Sequence, residues 1–282
     1  MPAAFLDRLA AVQQEKQSRL CVGLDPDPAR FPSALLEDHS MAAAAMRFNA
    51  AIIEATAPLA CAYKLNLAFY ENFPREGPRV IDETLSRIPE DPLVIADGKR
   101  GDIGNSARFY AAATFKRHAF DACTVSPYMG RDAVASFLGY PGKAVFVLAR
   151  TTNPSADALQ KLTLEDGEPL YERVAREVAG WNAEADGAAG LVAGATDPEA
   201  LGHLREACPE LPFLVPGVGA QGGRAEEVVE AAGSGPVLVN SSRSILYAYD
   251  GAYSGGVAEA AREAARGLRD RLWPEGRGGE SG

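Results

Sequence analysis

Six residues, Asp97-Gly98-Lys99-Arg100-Gly101-Asp102, bring two carboxylates and an ammonium together at the end of the apolar run Leu93-Val94-Ile95-Ala96. A short apolar run of this kind reads as a buried strand. The segment that follows, as far as His118, carries Phe109, Ala112 and Ala113 at helical spacing. The charges therefore belong to the C-terminal mouth of a strand, just ahead of a helix. That is where α/β sheets and α/β barrels bind ligands. Alternation along the strand turns residues 97 and 99 to one side. Lys99 is then held beside Asp97, and Asp102 reaches the same area or a neighbouring subunit. Lys64 closes an earlier apolar run in Tyr63-Lys64-Leu65-Asn66 and adds a second ammonium. Interleaved opposite charges keep both lysines protonated and the carboxylates ionised. A plain surface salt-bridge cluster would be worth about 1 kcal/mol or less. The apolar strand beneath, and the matching lysine one strand over, favour a functional cluster.

A second chemical stretch is Pro216-Gly217-Val218-Gly219-Ala220-Gln221-Gly222-Gly223, a turn between a strand and a helix. Backbone N–H groups in such a turn, and the helix start behind it, favour an anion. Arg243, at the next strand end, offers a fixed fork of donors for a phosphate. Gln221 can donate an amide hydrogen bond to the same group. A phosphate site built by the seventh and eighth loops recurs in (β/α)8 barrels. Asp25, in an Asp-Pro turn, is a candidate for a ribose hydroxyl, and Thr152 for a polar ring edge. Ser106 is a candidate substrate contact and, opening a helix, is equally suited to capping it. Ser126 has no pattern of its own.

The elements that must position these groups alternate along the chain. Phe5, Leu9 and Val12 mark a first helix, and Arg19 to Leu24 a strand ending at Asp25. Met41, Ala45, Phe48 and Ile52 share one face of a helix. Further apolar strands end at Lys64 with Asn66, Asp97 with Lys99, Ser126, and Thr151 with Thr152. The sixth ends without a polar group near Ala195, the seventh enters Gly217 to Gln221, and the eighth reaches Arg243. A helical pattern follows each, the last with Val257, Ala261, Leu268 and Leu272 on one face. Eight β/α units in roughly 250 residues match a closed (β/α)8 barrel, with an open doubly wound sheet as the alternative. Residues 1–273 are expected to form this single domain. The Gly- and Glu-rich stretch 274–282 is expected to be a disordered tail.

The bulk numbers narrow the function classes. With 282 residues and 47% hydrophobic composition, the chain can bury a sizeable core. A net charge of -10 disfavours nucleic acid and anionic membranes as partners. Cys21, Cys61, Cys123 and Cys208 form no CxxC pair and read as buried free thiols of a reducing compartment. The first residues are interrupted by charge and no apolar run reaches membrane-spanning length, so a soluble cytoplasmic protein is expected. His39, His118 and His203 fall away from the strand ends, which speaks against a Ser-His-Asp triad or a His-rich metal site. No Walker motif or strand-linked GxGxxG is present, so no nucleotide cofactor is expected.

With these residues in view, the sequence resembles the orotidine 5′-phosphate decarboxylase family in its longer form. Asp97-Gly98-Lys99-Arg100-Gly101-Asp102-Ile103 matches the family's D-x-K-x-x-D-I. Gly23-Leu24-Asp25-Pro26, Tyr63-Lys64-Leu65-Asn66, Pro216 to Gln221 and Arg243-Ser244-Ile245 fall in the family's order around it. The resemblance implies a (β/α)8 barrel without cofactor or metal, acting as a homodimer that converts orotidine 5′-phosphate to UMP and CO2. It implies that Lys99 protonates C6 of the pyrimidine, Asp97 faces the departing carboxylate, and Lys64 holds Asp97 and the ribose. Asp102 would enter the partner subunit's site. Asp25 would bind ribose, Thr152 the pyrimidine, and Pro216, Gln221 and Arg243 would form the phosphate end. The family often has Thr where Ser106 stands and Gly-Arg where Ser242-Arg243 stands; both changes keep the relevant chemistry. Two other readings remain open at this point. One is a metal-dependent keto-sugar-phosphate decarboxylase or hexulose phosphate synthase on the same barrel. The other is a non-catalytic barrel that binds a phosphometabolite.

Overall fold

The computed structural model describes residues 3–37, 40–219, 221–250 and 256–274. His39, the Ala220 position of the glycine turn and the tail 275–282 lie outside the described residues. Eight parallel strands close on themselves in chain order. They are β1 (Leu20–Gly23), β2 (Ala62–Asn66), β3 (Leu93–Arg100), β4 (Ala122–Val125), β5 (Ala144–Arg150), β6 (Ala188–Ala193), β7 (Phe213–Pro216) and β8 (Val237–Ser241). The closing pair joins Leu20 to Val239 and Cys21 to Asn240. Each strand is followed by at least one helix, so the expected (β/α)8 barrel is present.

The apolar residues sort into two layers because alternate residues of a strand face opposite ways. Cys21, Ala62, Ile95, Ala122, Phe146, Val192, Leu214 and Leu238 fill the barrel interior. The helix Ala3–Lys16 closes this interior, with Phe5, Leu9 and Val12 in the same cluster and Phe5 edge-on to Phe146 at 6.3 Å. The intervening strand residues, such as Val22, Tyr63, Val145, Leu191, Phe213 and Val239, pack outward against the helices. The four cysteines are buried free thiols. Among the described residues no helix is long and apolar enough to cross a membrane.

One side chain ties the N-terminal ends of the last units together. Arg205, in helix Pro198–Ala207, donates to five backbone carbonyls: Ala232, Cys208, Pro209, Leu211 and Pro236, at 2.9–3.3 Å. Its guanidinium lies 3.7 Å from the centre of the Phe213 ring. A Cβ added at Gly235 would fall 2.4 Å from the guanidinium carbon, so only glycine lets the arginine through.

Several sequence expectations need correction. The third strand does not stop at Asp97; it runs to Arg100, so the charged residues belong to the strand itself. The helix after it exists, as Gly104–Ala112 leading into a five-residue π turn, Ala113–Arg117. It buries Ala107, Ala111, Thr114 and Phe115, while Phe109 is 67% exposed. The expected face was one step out of phase. Likewise Ala45, Phe48 and Ile52 are buried in helix Met41–Thr56, but Met41 in its first turn points to solvent. The sixth strand end is not bare. Asp197, four residues beyond β6, caps helix Pro198–Ala207 and binds Arg150 at the end of β5.

Candidate active site

Going up each strand from the apolar interior, the next inward residue is polar in four of the eight: Ala62 leads to Lys64, Ile95 to Asp97, Ala122 to Thr124, and Leu238 to Asn240. All four polar residues line one cavity of about 710 Å³ at the C-terminal mouth of the barrel. Asp25, Lys99, Thr152, Pro216, Gln221 and Arg243 line it too. The eight strands thus bring together eight of the ten residues expected from sequence.

Asp97 is the centre of the cluster. Its Oδ2 accepts from Lys64 Nζ at 2.8 Å, and its Oδ1 accepts from Lys99 Nζ at 2.7 Å and from Thr124 Oγ1 at 2.8 Å. Burial alone would raise the Asp97 carboxyl. The Lys64 and Lys99 ammoniums outweigh it and hold the group well below the ordinary carboxylate range. Burial would likewise lower the Lys64 ammonium, but the Asp97 and Asp25 carboxylates reverse this and raise it. Asp97 and Lys64 are therefore both charged at neutral pH. Lys64 is 3% exposed and locked, whereas the Lys99 side chain is 47% exposed and faces the open cavity.

Simple strand alternation is not what brings Lys99 to Asp97. The register between β3 and β4 shifts between Ala96 and Arg100. Within this bulge Lys99 adopts φ +44°, the left-handed region. Such a conformation costs a lysine on the order of 1 kcal/mol and persists where surrounding contacts fix it. Here the Lys99 N–H donates to Thr124 Oγ1 at 3.0 Å. Gly98 lets the chain bend, since a Cβ there would sit 3.1 Å from Leu67 and 3.2 Å from Arg100.

The opposite wall is the glycine turn. Gly217 has φ +103°, and a Cβ there would sit 2.8 Å from Thr152 and 2.9 Å from Gln221 Oε1. The turn is closed by its own hydrogen bonds: Gly219 to Gly223, Gly222 to Gly219 and Gly223 to Gly217. Those three N–H groups are occupied within the loop. Gln221 and Arg243 add side-chain donors to this wall. Other cavity cations are paired, Arg30 with Asp250, and Lys64 and Lys99 with Asp97. Arg243 makes no ion pair among the described residues. Asp25 accepts from the Asn66 N–H at 3.3 Å, which fixes it on the cavity rim beside Lys64.

Two expected residues stand elsewhere. Asp102 and Ser106 do not line the cavity of their own chain. Asp102 accepts from the Ile103 N–H. Ser106 is the third residue of helix Gly104–Ala112, exposed, and does not cap it; Ile103 occupies the cap position. Ile103, Phe109 and Tyr110 of the same segment, and Tyr128 and Met129 of the loop after β4, are large apolar side chains open to solvent.

Sequence reasoning missed Thr124 and Asn240. Both could have been found by counting two residues on from an inward alanine or leucine. It also missed Asn153 and Gln160 of the loop after β5, and Tyr247, whose hydroxyl donates to the Asp25 carbonyl at 3.0 Å. Among the described residues no group of three or more His, Cys, Asp or Glu gathers as metal ligands would. His118 pairs with Asp82 at 2.8 Å, and His203 lies on the outer helix Pro198–Ala207.

Comparison with known proteins gives the family. Residues 18–255 match the model of the orotidine 5′-phosphate decarboxylase / HUMPS family. The chain is 47% identical over 263 residues to an orotidine 5′-phosphate decarboxylase of Herpetosiphon aurantiacus, covering 93% of this chain and 95% of that one. It is 46% identical over 272 residues to its counterpart from Roseiflexus castenholzii, covering 95% and 97%. The solved OMP decarboxylase of Leishmania donovani superposes with a TM-score of 0.81 at 39% identity, over 95% of this chain and 97% of that one.

Proposed function

The chain belongs to the orotidine 5′-phosphate decarboxylase / HUMPS family and is a carboxy-lyase of pyrimidine biosynthesis; from that premise we propose how its cavity converts orotidine 5′-phosphate to UMP and CO2. The observation that carries the reading is the Lys64–Asp97–Lys99 cluster, an ionised carboxylate gripped from two sides at the barrel mouth. Loss of CO2 leaves negative charge at C6 of the pyrimidine. The Lys99 ammonium sits where that charge grows, so it favours the transition state over the ground state and then delivers its proton to C6. Asp97 faces the substrate carboxylate. Two like charges about 4 Å apart at an effective dielectric near 20 repel by about 4 kcal/mol, and departure of CO2 relieves this. Lys64 anchors Asp97 and reaches the ribose with Asp25. Gln221, Arg243 and the Pro216 turn hold the phosphate, and Thr152 meets the pyrimidine edge. Grip on the remote phosphate helps to offset the strain at the ring.

The site is shared in a homodimer, with Asp102 and Ser106 entering the partner's cavity. This reading rests on Asp102 standing outside its own cavity, in a segment that also exposes Ile103, Phe109 and Tyr110 to solvent. The keto-sugar-phosphate alternative would need Asp97, the carboxylate at the centre of the cluster, free to bind a divalent cation. Both Asp97 oxygens are instead held by ammoniums. The intact lysine–aspartate cluster likewise favours an enzyme over a binding protein.

The test is the addition of EDTA-treated protein to orotidine 5′-phosphate. The orotate-type absorbance is expected to fall with UMP formed in equal amount. Folded protein that leaves the absorbance unchanged, or that needs magnesium to act, would overturn the proposal.

A further inference from the structure

The bulge in β3 leaves three residues, Asp97, Gly98 and Lys99, opposite one residue of β4. Ala96 pairs with Cys123 and Arg100 with Val125, so Thr124 alone faces the gap. A backbone N–H that loses its ladder partner needs another one. For Lys99 that partner is the Thr124 hydroxyl, at 3.0 Å. Because Oγ1 accepts there, its own proton is free to point at Asp97 Oδ1, 2.8 Å away, and an ionised carboxylate can only accept. Thr124 is 2% exposed, so water does not compete for either bond. Among the described residues it is the only hydroxyl joined to both Asp97 and Lys99.

We propose that Thr124 is a positioning residue for the decarboxylation, holding the Lys99 backbone in its left-handed turn and the Asp97 carboxylate in one rotamer. Lys99 Nζ is itself bonded to Asp97, so the hydroxyl sets both ends of the arc along which the proton is delivered. It touches the machinery from beneath and leaves the phosphate wall alone. This rests on the reading of Lys99 as proton donor, and it adds a residue that no D-x-K-x-x-D-I pattern contains.

The experiment compares wild type, Thr124→Val and Thr124→Ser with orotidine 5′-phosphate, alongside UMP affinity and melting temperature. Valine keeps the shape and removes the hydroxyl; serine keeps the hydroxyl. A displacement of about 1 Å at a reacting group costs on the order of 100-fold. Thr124→Val is therefore expected to lower kcat by about 10- to 100-fold, with UMP affinity within about threefold of wild type. Thr124→Ser is expected to restore kcat to within about threefold. Full kcat in Thr124→Val would overturn the proposal. So would a parallel loss of kcat and UMP affinity, or failure of serine to rescue a folded enzyme. Should the valine variant not fold, Thr124→Ala is read against Thr124→Ser by the same criteria. A wild type inert toward orotidine 5′-phosphate would overturn the functional reading itself, which the wild-type arm measures separately.

Discussion

Removal of the Lys99 ammonium should separate chemistry from binding. In Lys99→Ala, Asp97 keeps Lys64 on Oδ2 at 2.8 Å and Thr124 on Oδ1 at 2.8 Å, so the buried carboxylate stays satisfied. The Lys99 side chain is 47% exposed, so little packing is lost and the melting temperature should change by only a few degrees. The catalytic loss has two parts. A unit charge about 4 Å from the developing negative charge, at an effective dielectric near 20, contributes about 4 kcal/mol, or roughly 1,000-fold. Loss of a positioned proton donor adds roughly 100- to 10,000-fold. The kcat is therefore expected to fall by roughly 100,000-fold or more. Asp25, Gln221 and Arg243 are untouched, so UMP should bind within about tenfold of wild type. The assay is the absorbance progress curve at saturating orotidine 5′-phosphate, with UMP affinity by calorimetry on the same preparation. A kcat within tenfold of wild type would refute the role given to Lys99. A matching collapse of UMP affinity would show that the substitution disturbed the whole cavity.

Mixing Lys99→Ala with Asp102→Ala chains, each inactive alone, should restore up to about a quarter of wild-type sites, read as activity against mixing ratio; proven subunit exchange without recovery would sink the shared site. Asp97→Asn leaves Lys64 buried without its counter-charge and should cost about 3–5 kcal/mol in urea unfolding at pH 7. The folded Asp97 carboxyl is held below its unfolded value, so its contribution is full above about pH 4 and declines as pH falls toward the folded value. The stability gap between wild type and Asp97→Asn should therefore narrow steadily below pH 4, and a constant gap would contradict the pairing.

The part of the site legible in sequence was the part announced by contrast. Lys64 and Asp97 are charges ending apolar runs, and the inward register of a strand carries each from an apolar neighbour two residues below. Thr124 follows the same register, but in Ala122–Val125 the strand is too short for its alternation to stand out, and a threonine suits any strand. Lys99 was placed correctly for an incomplete reason. Alternation takes no account of the bulge, which needs the β4 partner to be seen. Phe109 and Met41 misled because aromatic and thioether side chains at helical spacing mark a helix without fixing which face is buried. Phe109 is exposed on the helix that follows Asp102. One chain alone could not disclose where Asp102 acts, because the residue does not line its own chain's cavity. Asp197 escaped notice because its partner, Arg150, is on the neighbouring strand.

Arg205 and Arg243 stand at opposite ends of the barrel and answer differently to salt. Arg205 is surrounded by carbonyl dipoles and an aromatic face, contacts of short range from which counter-ions are shut out. Arg243 is exposed on the cavity wall, where the pull proposed for it on a dianionic phosphate is open to screening by ions, over a Debye length of about 8 Å at physiological ionic strength. Rising electrolyte should thus loosen the enzyme's hold on its substrate long before it loosens the barrel. Ionic strength becomes a control that addresses one face of the molecule and leaves the other unaffected, and a KM that climbs with salt at constant melting temperature is its signature.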